Sequence, residues 1–280
     1  SMTIHASTRV LTLLGDPIAH SLSPVIQNAA FAEASVDGVY VAVRCASDDL
    51  TGFMRGLARA GGGGNITLPH KEKAASLVDR PTDAVRRTGA CNTFWGDAEG
   101  RVHGDNTDVA GFQRALRVFV GNPRGARVLL LGAGGAARAA LMGLVEEEVG
   151  EVVLYNRTVH RARAVARRIG GERARVAPLL DELEGGDFDL VVNATSLGLH
   201  PDDPSPLDFG MLSRVGAAMD LVYADRATPF VRAAEEAGVR STDGAEMLVQ
   251  QGAVSFERWW HEPAPLDAMK AALGAARSQA

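Results

Sequence analysis

The stretch RVLLLGAGGAARAA, from Arg127 to Ala140, decides the fold. An apolar run, Val128 to Leu131, stops at Gly132-x-Gly134-x-x-Ala137, and an alanine-rich helical pattern follows. Strand, glycine turn and helix in that order suit a dinucleotide pyrophosphate. Gly132 allows a tight turn, Gly134 lets backbone approach the phosphates, and Ala137 is small enough for helix to pack close on strand. The helix start adds free N–H groups and the positive end of the helix dipole. A glycine turn by itself is weak evidence; the flanking strand and helix patterns carry the reading.

The next apolar run, Glu151 to Tyr155, ends at Asn156-Arg157-Thr158. A site for NAD usually places a carboxylate near this point, to hold the ribose 2′-hydroxyl. Here there is none. Arg157 stands there instead, with Arg161 and Arg163 opening the next helix. Guanidinium suits a 2′-phosphate by charge and by bidentate geometry, and cations are mildly unfavourable at a helix start without such a partner. The expected cofactor is NADP.

A chain of 280 residues exceeds the usual size of a single core, so two domains are expected. With 46% hydrophobic and 22% charged residues, it has the composition of an ordinary globular protein that needs no staples. No apolar run approaches the roughly 20 residues that cross a bilayer. There is no signal-peptide pattern, and Ser1 ahead of Met2 reads as a cloning remainder. Cys45 and Cys91 fit a reducing, cytoplasmic setting, although one disulfide between them is not excluded by count. The net charge of −5, with basic residues read as scattered, argues against a nucleic-acid surface. Histidines and cysteines lack metal-ligand spacing, so no metal is expected.

Strand and helix signals alternate throughout, which predicts an α/β fold with largely parallel sheets. In the first part, strands are expected at Arg9–Leu14, Val39–Arg44 and Asn65–Leu68, and helices at Pro24–Ala34, Asp49–Ala60 and Lys71–Leu77. Short strands follow at Asn92–Trp95 and Arg101–Val102. An amphipathic run, Val109 to Val120, bridges to a second domain with strands at Arg127–Leu131, Glu151–Tyr155, Leu190–Asn193 and Ala217–Val222. From Ala245 the tail reads as two helices separated near Pro263 and Pro265. The four glycines Gly61–Gly64 are expected to form a turn that needs backbone freedom or close approach.

Open α/β sheets bind ligands beyond the carboxyl ends of their strands, and three polar clusters stand there. In the first, Ser21 and Ser23 precede a helix, where hydroxyls and free N–H groups can receive a carboxylate; capping accounts for one serine but not readily for two. In the second, Asn65, Thr67 and Pro69 share a face if the segment is extended, with the ammonium of Lys71 entering at a helix start. His70 between them reads as structural. The third, Gly104 to Asp108, holds two carboxylates in five residues, more than a helix cap requires, and Asn92 adds an amide nearby.

Taken in order, these strings resemble the shikimate dehydrogenase family over nearly the whole chain. They are SLSP at Ser21–Pro24, NITLPHK at Asn65–Lys71, GACNT at Gly89–Thr93, GDNTD at Gly104–Asp108 and GAGGAAR at Gly132–Arg138. NRT at Asn156–Thr158, NATSLG at Asn193–Gly198, DLVY at Asp220–Tyr223, TPF at Thr228–Phe230 and MLVQQGA at Met247–Ala253 continue the match.

The resemblance implies an N-terminal α/β substrate domain with a mostly parallel sheet (1–107), a Rossmann-type NADP domain (108–242), C-terminal helices (243–280) packing back onto the first domain, and a cleft between the domains. It implies reversible reduction of 3-dehydroshikimate to shikimate by NADPH, in aromatic amino-acid biosynthesis. Lys71 and Asp108 would be the catalytic pair. Ser21 and Ser23 would bind the substrate carboxylate; Asn65, Thr67, Asn92, Tyr223 and Gln251 would line the rest of the substrate. Cofactor contacts would come from Gly132, Ala133, Gly134, Gly135, Ala136, Asn156, Arg157, Thr158, Arg161, Thr195, Leu221 and Gly244. The expected partners are small molecules only, in a monomer or homodimer. Quinate or aminoshikimate oxidation, a non-catalytic regulatory binder and a cysteine-dependent reductase stand as alternatives. Trp259-Trp260-His261 and Glu246 depart from the family's strings, and would adjust packing or access beside Gln251.

Overall fold

The computed structural model describes residues 3–278; Ser1, read above as a cloning remainder, Met2 and the last two residues lie outside it. The chain divides into two compact units, one made of residues up to 111 together with those from 249 onward, the other of residues 112–248.

The first unit contains β1 (Arg9–Gly15), α1 (Ser23–Ala34), β2 (Gly38–Arg44), α2 (Leu50–Arg59), β3 (Gly63–Ile66) and α3 (Lys71–Leu77). These are followed by β4 (Arg80–Pro81), α4 (Asp83–Thr88), β5 (Thr93–Gly96), β6 (Val102–Asp105) and the start of α5 (Thr107–Val120). The six strands form one sheet in the order β2-β1-β3-β5-β6-β4. β5 alone runs against the others, pairing antiparallel with both β3 and β6. That reversal puts the start of β5 on the same edge as the ends of β1, β3 and β6.

Amphipathic spacing explains the helices. α2 buries Leu50, Met54 and Ala58, four residues apart on one face. The sequence reading missed β4 and α4: two strand residues are too few to show a period, and the helix is announced only by Thr82, whose hydroxyl accepts from the Val85 N–H.

The glycine run is corrected. Only Gly61, with φ of +85°, sits in the turn, while Gly63 and Gly64 belong to β3. A Cβ on Gly63 would lie 2.2 Å from the Phe94 carbonyl oxygen, and one on Gly64 would lie 2.1 Å from that of Thr12. The strand is therefore displaced toward the glycines and ends at Ile66, so Thr67 stands beyond it rather than sharing its face with Asn65.

The second unit contains β7 (Arg127–Leu131), α6 (Gly135–Glu146), β8 (Glu151–Tyr155), α7 (Val159–Val165), β9 (Ala174–Val176), β10 (Asp187–Asn193), β11 (Arg214–Asp220), α8 (Pro229–Glu236) and β12 (Ser241–Thr242). Its sheet runs β12-β11-β10-β7-β8-β9, every pair parallel, which is the doubly wound dinucleotide-binding order. Central strands read as continuous apolar runs because both faces are covered: Val128 to Leu131 and Leu190 to Val192 are all buried. The last expected strand, Ala217–Val222, lies three residues earlier at its start and ends at Asp220.

α9 (Ala245–Trp260) and α10 (Leu266–Ser278) end the chain, and α10 packs on α1. A Cβ on Gly111 of α5 would lie 2.6 Å from the Gln251 backbone nitrogen, so α5 and α9 meet there at backbone distance. Trp259 and Trp260 are packing residues. Trp259 Nε1 donates to the Phe94 carbonyl at 3.2 Å. Trp260 stands edge-on to Phe31 at 5.3 Å, with the Arg9 guanidinium 4.5 Å over its ring. No described helix is long and apolar enough to cross a membrane.

Gly64→Ala should destabilise the protein by about 2 kcal/mol or more, because backbone must move to admit the methyl group. Gly56→Ala, in α2 with open space at its Cβ position, should stabilise by about 0.5–1 kcal/mol. Urea unfolding of both variants checks the contrast; equal effects would contradict the assigned packing of β3.

Candidate active site

One edge of the first sheet gathers most of the polar strings. Lys71 opens α3 and Asp108 lies in the first turn of α5, and Lys71 Nζ donates to Asp108 Oδ2 at 2.9 Å. Their side chains are 31% and 16% exposed, so the pair is sheltered yet reachable. Asp108 is available for this contact because other side chains cap its helix. Asn106 Oδ1 accepts the Asp108 N–H at 3.1 Å, and Asn92 Oδ1 accepts the Thr107 N–H at 2.7 Å. Asp105, the second carboxylate of that string, is held structurally: it accepts from Thr82 at 2.7 Å and from Arg258 at 2.9 Å.

At the other cluster the Ser21 hydroxyl accepts the Ser23 N–H at 3.2 Å, just ahead of α1, whose N-cap position is Leu22. Ser23 does not cap α1; its side chain is a hydrogen-bond neighbour of the buried Tyr40 hydroxyl, whose pKa is pushed up by burial. Tyr40 in turn donates to Asn65 Oδ1 at 2.9 Å. Asn65 Nδ2 faces the Asn92 carbonyl at 3.1 Å and the hydroxyls of Thr93 and Ser255, each at 3.0 Å. Thr93, Thr107 and Ser255 form a triangle of hydroxyls 3.0–3.1 Å apart. Tyr40, Thr93, Thr107 and Ser255 were not singled out from the sequence. The visible signal was Ser255, a lone hydroxyl inside the apolar run of α9, one helical turn beyond Gln251 and on its face.

Thr67 follows β3, its N–H donating to the Leu14 carbonyl at 2.9 Å. His70 is buried, with Nε2 2.6 Å from the Cys45 carbonyl, a structural placement. Both cysteines are free and buried. Burial pushes the Cys91 thiol up to about 12 and raises that of Cys45, so neither offers a thiolate nucleophile at neutral pH.

In the second unit the polar strings gather beyond the carboxyl ends of β7, β8, β10 and β11. Gly132 has φ of +116°, and a Cβ on it would lie 2.7 Å from the Ala194 carbonyl oxygen, so glycine is required on both counts. Cβ positions on Gly134 and Gly135 face open space, and no side chain caps α6. That is the cradle a pyrophosphate fits: exposed backbone N–H groups with nothing in the way. Arg157, Thr158 and Arg161 are exposed just beyond β8, and Asn156 Nδ2 donates to the Thr158 carbonyl at 3.0 Å. The basic residues are less scattered than the sequence reading held, since seven arginines fall between 157 and 175.

Thr195 and Leu221 are positioned by a buried clip. Asn193 Oδ1 accepts from Thr195 Oγ1 at 2.7 Å, and Asn193 Nδ2 donates to Asp220 Oδ1 at 3.1 Å. Asp220 also accepts from the Val222 N–H at 2.9 Å and from Thr228 Oγ1 at 2.5 Å. Gly244 approaches this segment at backbone distance, a Cβ on it lying 2.5 Å from the Leu221 carbonyl oxygen. Tyr223 follows in the same segment, in the second unit, whereas the other expected substrate residues belong to the first.

Three family models match the chain: the shikimate dehydrogenase substrate binding domain at residues 13–94, shikimate / quinate 5-dehydrogenase at 114–199, and the shikimate 5′-dehydrogenase C-terminal domain at 244–273. A shikimate dehydrogenase (NADP(+)) of Methanopyrus kandleri is 40% identical, covering 98% of this chain and 97% of its own. One of Alcanivorax borkumensis is 41% identical over 91% and 92%. The crystal structure of shikimate 5-dehydrogenase from Thermus thermophilus in complex with NADP(H) and shikimate matches with a TM-score of 0.86 at 38% identity, covering 95% of this chain and 99% of that one.

The Asp220 carboxyl is fully buried, and burial raises its pKa from 3.8 to about 6. A raised folded value means that protonation favours the folded state. The stability it contributes is complete below pH about 4 and is lost as pH rises through about 6. Asp220→Asn preserves shape and can still accept from Val222, but does not titrate. Its stability relative to the parent should therefore rise between pH 4 and 7, by up to about 3 kcal/mol. Urea unfolding across that range checks it, and a pH-independent difference would refute the buried-charge account.

Proposed function

The chain belongs to the shikimate dehydrogenase family, and from that premise we propose that it interconverts 3-dehydroshikimate and shikimate with NADP(H), Lys71 and Asp108 handling the proton. The observation that carries this reading is the 2.9 Å Lys71–Asp108 contact on the sheet edge that also presents Asn92 and, beyond β3, Thr67.

The residues of the second unit suit the cofactor. Gly132, Ala133, Gly134, Gly135 and Ala136 would hold the pyrophosphate at the start of α6. Asn156, Arg157, Thr158 and Arg161 would take the adenosine ribose with its 2′-phosphate. Thr195, Leu221 and Gly244 would line the remainder. When bound, NADPH supplies the hydride that the carbonyl carbon accepts.

The chain's own task is the oxygen. As the carbonyl becomes an alcohol, its oxygen gains negative charge and then one proton. The Lys71 ammonium can hydrogen-bond that oxygen, stabilise the developing alkoxide and deliver the proton. Asp108 orients the ammonium and can accept from the product hydroxyl. In the reverse direction the pair receives the proton, and neither partner is named as sole base. Ser21 and Ser23, at the start of the twelve-residue helix α1, would donate to the substrate carboxylate where the helix dipole favours an anion. A set of amides and hydroxyls rejects analogues that leave those groups unpaired.

Initial rates with shikimate or quinate crossed against NADP or NAD test the reading. Shikimate with NADP should dominate, and absence of that rate from folded protein would overturn it. Lys71→Ala should lower turnover about a thousandfold or more while leaving NADP affinity within about twofold; undiminished turnover would remove Lys71 from the chemistry. Arg157→Asp should raise the KM for NADP at least about tenfold while changing that for NAD little. An equal effect on both would refute the 2′-phosphate role.

A further inference from the structure

The hydrogen bonds around Asn65 and Asn92 fix which end of each carboxamide a ligand can meet. A backbone carbonyl only accepts, so the Asn65 atom 3.1 Å from the Asn92 carbonyl is the amide nitrogen. A backbone N–H only donates, so the Asn92 atom 2.7 Å from the Thr107 nitrogen is the amide oxygen. Neither amide can be turned over without opposing like groups.

Counting protons and lone pairs then leaves little free. The two protons of Asn65 Nδ2 are claimed by three acceptors: the Asn92 carbonyl, Thr93 Oγ1 and Ser255 Oγ. Its Oδ1 receives one proton, from the Tyr40 hydroxyl, and keeps one lone pair. Asn65 can therefore only accept from a ligand. Asn92 is the converse. Its Oδ1 is saturated by the Thr107 N–H and the Thr93 hydroxyl, and Nδ2 gives one proton to Thr107 Oγ1, leaving the other. Asn92 can therefore only donate.

We propose that Tyr40 is a positioning residue for substrate recognition, holding the oxygen of Asn65, an obligate acceptor, beside Asn92, an obligate donor. This rests on the reading of both asparagines as substrate contacts. The acceptor at Asn65 requires a hydroxyl in both oxidation states of the substrate, because a ketone oxygen has no proton to give. The reacting oxygen is thus excluded from Asn65, whose partner is a hydroxyl that the reaction leaves unchanged. Asn92 tolerates either a ketone or a hydroxyl oxygen. Tyr40 orients the Asn65 oxygen from β2.

The test uses the full-length enzyme with NADP and either shikimate or analogues in which one non-reacting ring hydroxyl is replaced by hydrogen or by fluorine. With the parent enzyme, one position should lose about tenfold in kcat/KM on either replacement, because fluorine cannot donate. Tyr40→Phe should raise the KM for shikimate about five- to tenfold, with kcat within about twofold and the KM for NADP unchanged. The deoxy penalty at that position should shrink below about twofold, the non-additivity expected of coupled groups. An additive loss in Tyr40→Phe, or a loss confined to kcat, would overturn the positioning role alone. A parent enzyme inert toward shikimate would overturn the functional reading and this role with it.

Discussion

The Asn92 carboxamide oxygen accepts the Thr107 N–H at 2.7 Å, and the polar edge of the first unit depends on that bond. It ties the start of β5 to the first turn of α5, where a helix has amide protons without partners. With Asn106 taking the next such proton, the Asp108 carboxylate is not drawn into capping and can face Lys71. An ion pair this accessible contributes about 1 kcal/mol to stability at most. The fold therefore has little need of it, whereas the proposed proton transfer at that edge needs both members.

The second unit meets the same requirement, holding loops beyond strand ends, by a different route. There a carboxylate is buried outright. Asp220 accepts three hydrogen bonds, from Asn193 Nδ2, the Val222 N–H and Thr228 Oγ1, and the strings after β10 and β11 are fastened to one another. Its raised pKa expresses the cost: hydrogen bonds oppose the desolvation of the charge without cancelling it. In the first unit the link between β5 and α5 is made by the neutral amides of Asn92 and Asn106.

Much of this was legible in the sequence, and the exceptions have physical causes. The RVLLLGAGG stretch announced β7, its turn and α6 because a strand covered on both faces must be apolar throughout and the turn after it demands glycine. The polar strings announced the sheet edges, since hydroxyls and amides so near apolar strands have little other place to be. β4 and β9 were invisible because two or three residues cannot display a period. The extent of β3 was misread because glycine ordinarily signals a turn, whereas close approach, the other reason expected for this run, is what the carbonyls of Phe94 and Thr12 impose at Gly63 and Gly64. The network of Tyr40, Thr93, Thr107 and Ser255 was hidden for a related reason. Its members are far apart in sequence, and each alone resembles an ordinary strand or helix residue.

That network also bears on what such residues are retained for. Three hydroxyls buried together are neutral to stability only while each satisfies another; replacing all of them by apolar groups of similar shape would cost little. Stability therefore gives no strong reason for Thr93, Thr107 and Ser255 to carry oxygen. Ligand recognition does. An apolar core would leave the sense of each carboxamide to the backbone bonds at the Asn92 carbonyl and the Thr107 N–H, but would free one Asn65 proton and one Asn92 lone pair for a ligand. With the hydroxyls in place, Asn65 keeps only acceptor capacity and Asn92 only donor capacity, and under the proposed reading the site gains its discrimination between oxygens from groups that never touch the substrate.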